Sequence, residues 1–420
     1  MPVDVKKNQG GLEENRVVIT GAGVVSSLGL GRENFFNKLK HGETGIRPIN
    51  GAVLPGSKSK LASRVEAIDI RKYFPGLKPP LPLRFSQLAL VASSLAVEDA
   101  NLDLKNIQPF RIGLTLNTSF GPGEAVDEYL STLFTEGPSA TSPILFTQAV
   151  ANAPLGRVAV QLGLRGPSVL LIGSSSIAHA YNIIKEGKAD VMLCGGIDEL
   201  RSLLIWTYDQ LGLTLGSGNA SSDSTFPCPY DLNRCGMVLG EGACIIVLED
   251  GKYAERRQAR ILGEMLGYGV VCDRNTNRVI TEKHAEDVAQ AMRLALADAN
   301  VSARDIGYVC GFGNSSPTID QSEALAIREV LGAKSVPVSS IKGSTGEAFS
   351  ASAAFGFLVA AMAVQEQVIV PTVGTRHIEP SWDIDVVCQS PRNAAMSAAI
   401  CNSFDIGGNN TSYVIGRNGG

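Results

Sequence analysis

Short apolar runs that end in glycine alternate along this chain with longer stretches of helical period. RVVITGAG (16–23) is a continuous apolar run closed by a glycine turn, the pattern of a strand buried on both faces. RIGLTLN (111–117), SVLLIG (168–173), DVMLCGG (190–196) and ACIIVLED (243–250) repeat it. Between them, RENFFNKLKHG, LRFSQLALVASSLAVEDANL and IAHAYNIIKEGKA predict helices. A second cycle follows Asp250. AEDVAQAMRLALADANV is amphipathic, with Val288, Met292 and Leu296 one turn apart. IGYVCGFG predicts a strand, QSEALAIREVLG a helix, AFGFLVAAMAVQEQ a helix buried all round, and SYVIGR a closing strand. Strands alternating with helices predict a layered α/β fold. The repeated cycle predicts two halves sharing one core, 15–252 and 253–420, behind a loose polar tail over 1–14.

Composition changes this picture little. The chain has 420 residues, 44% of them hydrophobic, and a net charge of -4, too mild to imply nucleic acid. No stretch approaches the ~20 apolar residues that span a bilayer. The first residues, MPVDVKKNQGGLEEN, hold no apolar core of a signal peptide, so the expected location is cytoplasmic. No cofactor is implied. GAGVVS (21–26) resembles a dinucleotide loop but has Ser26 where the third glycine belongs. None of the eight cysteines forms a C-x-x-C pair, so buried free thiols are expected. No pair among His41, His179, His284 and His377 has metal-ligand spacing near a carboxylate or cysteine, and no metal site is expected.

Six ordered segments carry a resemblance. They are VVITGAGVVSSLG, SPILFTQAVANAPLGRVAVQLGLRGPS (142–168), CPYDLNRCGMVLGEGACIIVLE, GNSSPTIDQSEALAIREVLG, SIKGSTGE and NSFDIGGNN. In this order they resemble the β-ketoacyl-acyl carrier protein synthases along nearly the whole chain. The resemblance implies the thiolase-like fold, five α-β-α-β-α layers in two pseudo-duplicated halves.

Ketosynthase chemistry needs a thiolate to accept the acyl chain and two imidazoles to assist decarboxylation and stabilise the enolate and oxyanion. The family's first histidine, in Ala-His-Gly-Thr, aligns with Phe312. The second, in Lys-x-x-x-Gly-His, aligns with Glu347. Phe312 cannot move a proton, and an ionised Glu347 would repel an enolate. The stretch after Gly-Pro-Ser is about five residues short when counted back from the following helix. Counted forward, it puts Ser175 at the cysteine position. No cysteine lies between Gly166 and Lys188. The family's Gly-Phe-Gly-Gly phenylalanine is Ile406, and Cys235 stands for the aspartate of Arg-Asp-Gly.

Ser174, Ser175 and Ser176 precede the helix IAHAYNIIKEG and are expected to cap it. His179 should project along that helix and away from the turn. Lys342, which matches a family lysine, is expected to pair with Glu347. Glu241, Asp320 and Glu323 are expected to act as polar anchors.

The resemblance is nearest to the chain length factors of type II polyketide synthases, which look like the ketosynthase, lack its cysteine and form a heterodimer with it. It implies a non-catalytic subunit whose partners are a cysteine-containing ketosynthase and an acyl carrier protein. SVLLIG, with Val169 and Leu171, would pair across the dimer axis. Ile144, Leu145 and Phe146 would line the chain tunnel along the interface. Chain length factors often carry Gln at the cysteine position, and this chain does not. Two other functions stay open: a homodimeric acyltransferase or hydrolase using Ser175, and a module that binds acyl carrier protein.

Overall fold

The computed structural model describes residues 15–49, 54–217, 225–273 and 283–419. The expected tail over 1–14 lies outside them. The first half contributes β1 (Val17–Ser26), β2 (Ile112–Thr118), β3 (Ser168–Ile172), β4 (Val191–Asp198) and β5 (Gly242–Asp250). They lie in the order β1-β5-β4-β2-β3. The second contributes β6 (Gly263–Cys272), β7 (Ile306–Cys310), β8 (Pro337–Ser339), β9 (Ala398–Phe404) and β10 (Asn409–Gly416). Their order is β6-β10-β9-β7-β8, the same permutation. Strand directions repeat as well. In each half the two pairings nearest the first strand are antiparallel, beyond it comes a parallel pairing inward, and the outermost pairing is parallel. The halves meet at their first strands, where Val17 to Ile19 pair antiparallel with Met265 to Gly263.

Helices α1 (Arg84–Asp99) and α2 (Ala153–Leu162) cover the outer face of the first half. Helices α4 (Ala285–Asp298) and α5 (Pro317–Leu331) cover that of the second. Between the halves lie α3 (Ser176–Lys185) and α6 (Ser350–Glu366), in the core cluster that draws on both sets of strands. This is the expected five-layer thiolase-like architecture. Helix α6 is buried from Ser350 to Val364, as its small-residue composition predicts. Gly356 shows why: a Cβ there would meet Cys401 Sγ at 3.1 Å.

Some elements escaped the pattern. Strand β6 alternates buried with half-buried residues through GEMLGYGVVC, so no unbroken apolar run marks it. Strand β9, AAICNSF, buries the polar Asn402 and Ser403. SVLLIG reads as a buried strand, yet β3 is the edge of the sheet, hydrogen-bonded only to β2 among the described residues. Val169 and Leu171 are half-buried and Ile172 is exposed.

Candidate functional site

A small cleft of about 40 Å³ opens where the two halves present equivalent turns. The turn after β3 supplies Gly173 and Ser174, and the loop before α6 supplies Glu347, Phe349 and Ser350. Phe312 enters from the end of β7, and Phe404, Asp405 and Ile406 from the turn between β9 and β10. The fold thus gathers Ser174, Phe312, Glu347 and Ile406, which lie far apart in sequence. No cysteine and no histidine is among the described residues that line it.

Lys342 and Glu347 form a buried ion pair, Nζ to Oε2 2.6 Å, with side chains 6% and 4% exposed. The ammonium lies 2.9 Å from the centroid of the Phe312 ring, whose negative π face attracts it. Phe312 in turn packs on Phe404 at 4.8 Å between centroids. Glu347 is further held by the Phe349 N–H, which donates to Oε1 at 2.9 Å, and by Asn314 Nδ2, 3.4 Å from Oε2. Burial pulls the Lys342 amine below its ordinary value, against the opposing pull of Glu347. This cluster offers neither a nucleophile nor a group free to shuttle a proton.

On the other wall, β3 stops at Ile172 and α3 starts at Ser176. The turn between them is fastened by its backbone. The Gly173 carbonyl accepts from Ser350 Oγ at 2.7 Å, and the Ser174 carbonyl accepts from the Tyr413 hydroxyl at 2.7 Å. Gly173 has φ +106°, and a Cβ there would meet Asp405 Oδ2 at 2.2 Å, so only glycine fits. The capping expectation needs correction. Ser175 occupies the cap position but makes no side-chain cap bond. Asn117 Oδ1, at the end of β2, accepts the Ser176 N–H instead, and Ser176 Oγ donates to the Gly195 carbonyl. The neighbouring strand ends beside the helix start, so a distant side chain does what the local serines were expected to do. Ser175 is half-buried and absent from the cleft lining, and His179 is exposed.

The remaining expected residues lie elsewhere. Ile144, Leu145 and Phe146 sit on the helix Pro143–Ala149, outside the cleft. Ile144 and Phe146 are exposed, and Phe146 packs on Tyr129 of the helix Gly123–Glu136. Phe134 (80% exposed), Val160 (77%) and Ile172 (62%) of the same half are exposed as well.

Carboxylates frame the site. Glu323 accepts the N–H groups of Phe312 and Gly313 at 2.8 and 2.9 Å and the Tyr230 hydroxyl at 2.7 Å. Asp320 accepts the N–H groups of Asn314 and Tyr230, both at 2.8 Å, and burial pushes it up to about 6. Glu241 pairs with Arg84 at 2.6 Å. Two carboxylates were missed by motif reasoning. Asp198 ties the Thr118 hydroxyl at 2.8 Å to the Ser350 N–H at 2.9 Å, and burial pushes it up to about 6. Glu199 accepts the Glu124 N–H at 2.7 Å, and burial pushes it up to about 7. Neither lies in a recognisable motif.

Two expectations about cysteine and histidine change. Cys272 is exposed, although all eight thiols are free. Asp273, His284 and Asp287 come together, with His284 Nδ1 2.8 Å from Asp273 Oδ1. Spacing could not show this, because residues 274–282 separate Asp273 at the end of β6 from His284 at the start of α4. Asp273 also accepts the His284 N–H at 3.0 Å, which makes it an anchor for the helix start.

These features define a thiolase-like protein. The N-terminal domain of β-ketoacyl synthases matches residues 14–254, and their C-terminal domain matches residues 262–376. The chain belongs to the β-ketoacyl synthase family. A 3-oxoacyl-[acyl-carrier-protein] synthase 2 of Synechocystis sp. is 29% identical over 96% of this chain and 98% of its own. Nodulation protein E of Rhizobium meliloti is 32% identical over 94% and 98%. Among solved structures, the ishigamide ketosynthase/chain length factor superposes with a TM-score of 0.89 at 28% identity, over 97% of this chain and 100% of that one. The AntDE:AntF complex, a type II polyketide synthase carrier protein with its ketosynthase, gives 0.85 at 27% identity, over 96% and 100%. No helix among the described residues is long and apolar enough to cross a membrane.

Proposed function

We propose that this chain is a non-catalytic, ketosynthase-like subunit of the chain-length-factor type, cytoplasmic, which pairs with a cysteine-containing ketosynthase and works with an acyl carrier protein. One observation carries the reading. Where a ketosynthase needs a thiol and two imidazoles, the cleft holds a backbone-fastened serine turn, the Phe312 ring and a closed Lys342–Glu347 ion pair. Catalytic groups of this kind act as a unit, and losing all of them removes the reaction.

The free edge of β3 and the exposed apolar residues of the same half support the pairing. An unpaired strand edge, together with exposed Phe134, Val160 and Ile172, is costly unless a partner covers it. Pairing there would bring Ile144, Leu145 and Phe146, with Val169 and Leu171, to the interface, where they would bound the tunnel for the growing chain. The similar ketosynthase/chain length factor and carrier-protein complexes favour this partner chemistry. The hydrolase alternative finds no support, because Ser175 has neither a place in the cleft nor a base.

Co-expression with a competent ketosynthase tests the proposal. The two chains co-purify, the pair condenses acyl and malonyl units, and this chain alone does not. Condensation by the isolated chain would end the proposal. In the reconstituted pair, Leu145→Trp shortens the product, and unchanged product length would remove Leu145 from the tunnel.

A further inference from the structure

Two residues on the outward side of α2 have no explanation among the described residues. Leu155, Val158, Ala159 and Leu162 turn one side of the helix to the core of the first half. Gly156, Arg157 and Val160 fall on the other side, Gly156 and Val160 exposed and Arg157 half-buried.

Glycine is a poor residue for a helix interior, and it is favoured there where a neighbour leaves no room for a Cβ, as Cys401 does at Gly356. A Cβ at Gly156 would meet nothing within 4 Å. None of the described residues therefore calls for glycine at this place, whereas a second backbone laid close against α2 would.

Arg157 is the second case. The half-buried arginines Arg84, Arg111 and Arg201 of the same half each hold a carboxylate: Glu241, Asp190 and Asp127. Arg157 holds none among the described residues, and burial pulls its guanidinium below the ordinary value with no carboxylate opposing it. A guanidinium carries five N–H donors in a planar fork that fits a carboxylate.

The place of these residues points to the occupant. Helix α2 packs against β3, the strand whose free edge is proposed to pair, and against the helix Pro143–Ala149. These three elements, APLGRVAVQL, SVLLI and PILFTQA, carry no acidic residue. In a two-fold contact both partners present the same patch. A second copy of this chain meeting it through these elements would bring another Arg157 and no carboxylate. A different chain can supply one.

We propose that the outward side of α2 is a specificity contact for the ketosynthase partner, which lays its backbone close against Gly156 and places an aspartate or glutamate on Arg157. This rests on the pairing reading and adds to it how the chain tells that partner from itself.

The dissociation constant of the reconstituted pair, read beside the urea midpoint of the isolated chain, tests the contact. Arg157→Met keeps the apolar stem and removes the charge. It should weaken the pair about tenfold, and Arg157→Glu about a hundredfold, with neither moving the midpoint of the isolated chain. Added salt should weaken the parent pair more than the Arg157→Met pair. Gly156→Leu should leave the isolated chain at least as stable as the parent and weaken the pair about tenfold. A parent pair whose affinity none of these variants changes would overturn the contact and leave the pairing standing. A parent chain that forms no pair would overturn both. An isolated chain that is a dimer, and that Arg157→Glu turns monomeric, would give the face to a second copy and overturn the assignment to a ketosynthase.

Discussion

The units β3–α3 and β8–α6 occupy equivalent places in the two halves, each a third strand followed by a central helix. In the first half the chain passes from Ile172 to Ser176 through a three-residue turn fixed by bonds to its carbonyls, and α3 runs for 10 residues. In the second, a longer stretch from Ser339 to Ser350 precedes α6, which runs for 17 residues. That stretch carries Glu347, tied to Lys342. On the function proposed above, one wall departs from a ketosynthase by its backbone and the other by its side chains. On that reading, a shortened turn removes the position a nucleophile would occupy. A substituted residue leaves the position and changes its chemistry.

The largest effect should come from the second wall. Lys342→Met leaves Glu347 buried without its counter-charge, and breaking such a pair costs about 3–5 kcal/mol. Lys342→Met with Glu347→Gln removes both charges and keeps an acceptor for the Phe349 N–H, so it should recover much of the loss. Urea midpoints of the parent, the single and the double variant check this. A single variant as stable as the parent would mean that the pair does not hold this wall.

The first half should respond to pH instead. Burial raises Glu199 from 4.5 in its reference state to about 7 in the fold. A raised carboxyl contributes stability fully below the lower value and loses it as pH climbs through the higher one. Glu199→Gln removes this titration. The variant and the parent should then have nearly equal stability at pH 4.5, and the variant should gain about 3 kcal/mol on the parent by about pH 8. A stability difference independent of pH would show that Glu199 does not titrate in this window.

Both central helices start on side chains from the first half: α3 on Asn117 and α6 on Asp198. Asn117→Ala leaves the Ser176 N–H without its acceptor and should cost about 1 kcal/mol, while Asn117→Asp keeps the cap. Equal denaturation midpoints for the parent and the alanine variant would return the capping role to Ser175.

The sequence displayed the fold where burial is uniform. Helix α6 and strands β1, β4 and β5 are buried along their length, so apolar runs mark them. It hid β9, whose buried Asn402 is paid for by a bond to Glu323 that no local pattern reveals. The gathering of Ser174, Phe312, Glu347 and Ile406 was legible because each sits in an ordered motif. Asn117 and Asp198 belong to no such motif. They matter through partners 59 and 152 residues distant, which only the packed structure supplies.

The two kinds of change also differ in how they should respond to repair. Phe312→His with Glu347→His restores two imidazole side chains to positions that still face the cleft. Adding Ser175→Cys supplies a thiol, but on a half-buried residue outside the lining, at the end of a turn whose carbonyls are fastened to Ser350 and Tyr413. The sulfur would have no course into the cleft, and a nucleophile must lie within reach of both the acyl group and its base. The triple variant should therefore show no condensation of acetyl and malonyl thioesters above the unmodified chain, and no covalent acyl adduct by mass spectrometry. An adduct on residue 175 followed by turnover would mean that side chains alone separate this protein from a ketosynthase, and that the shortened turn imposes nothing.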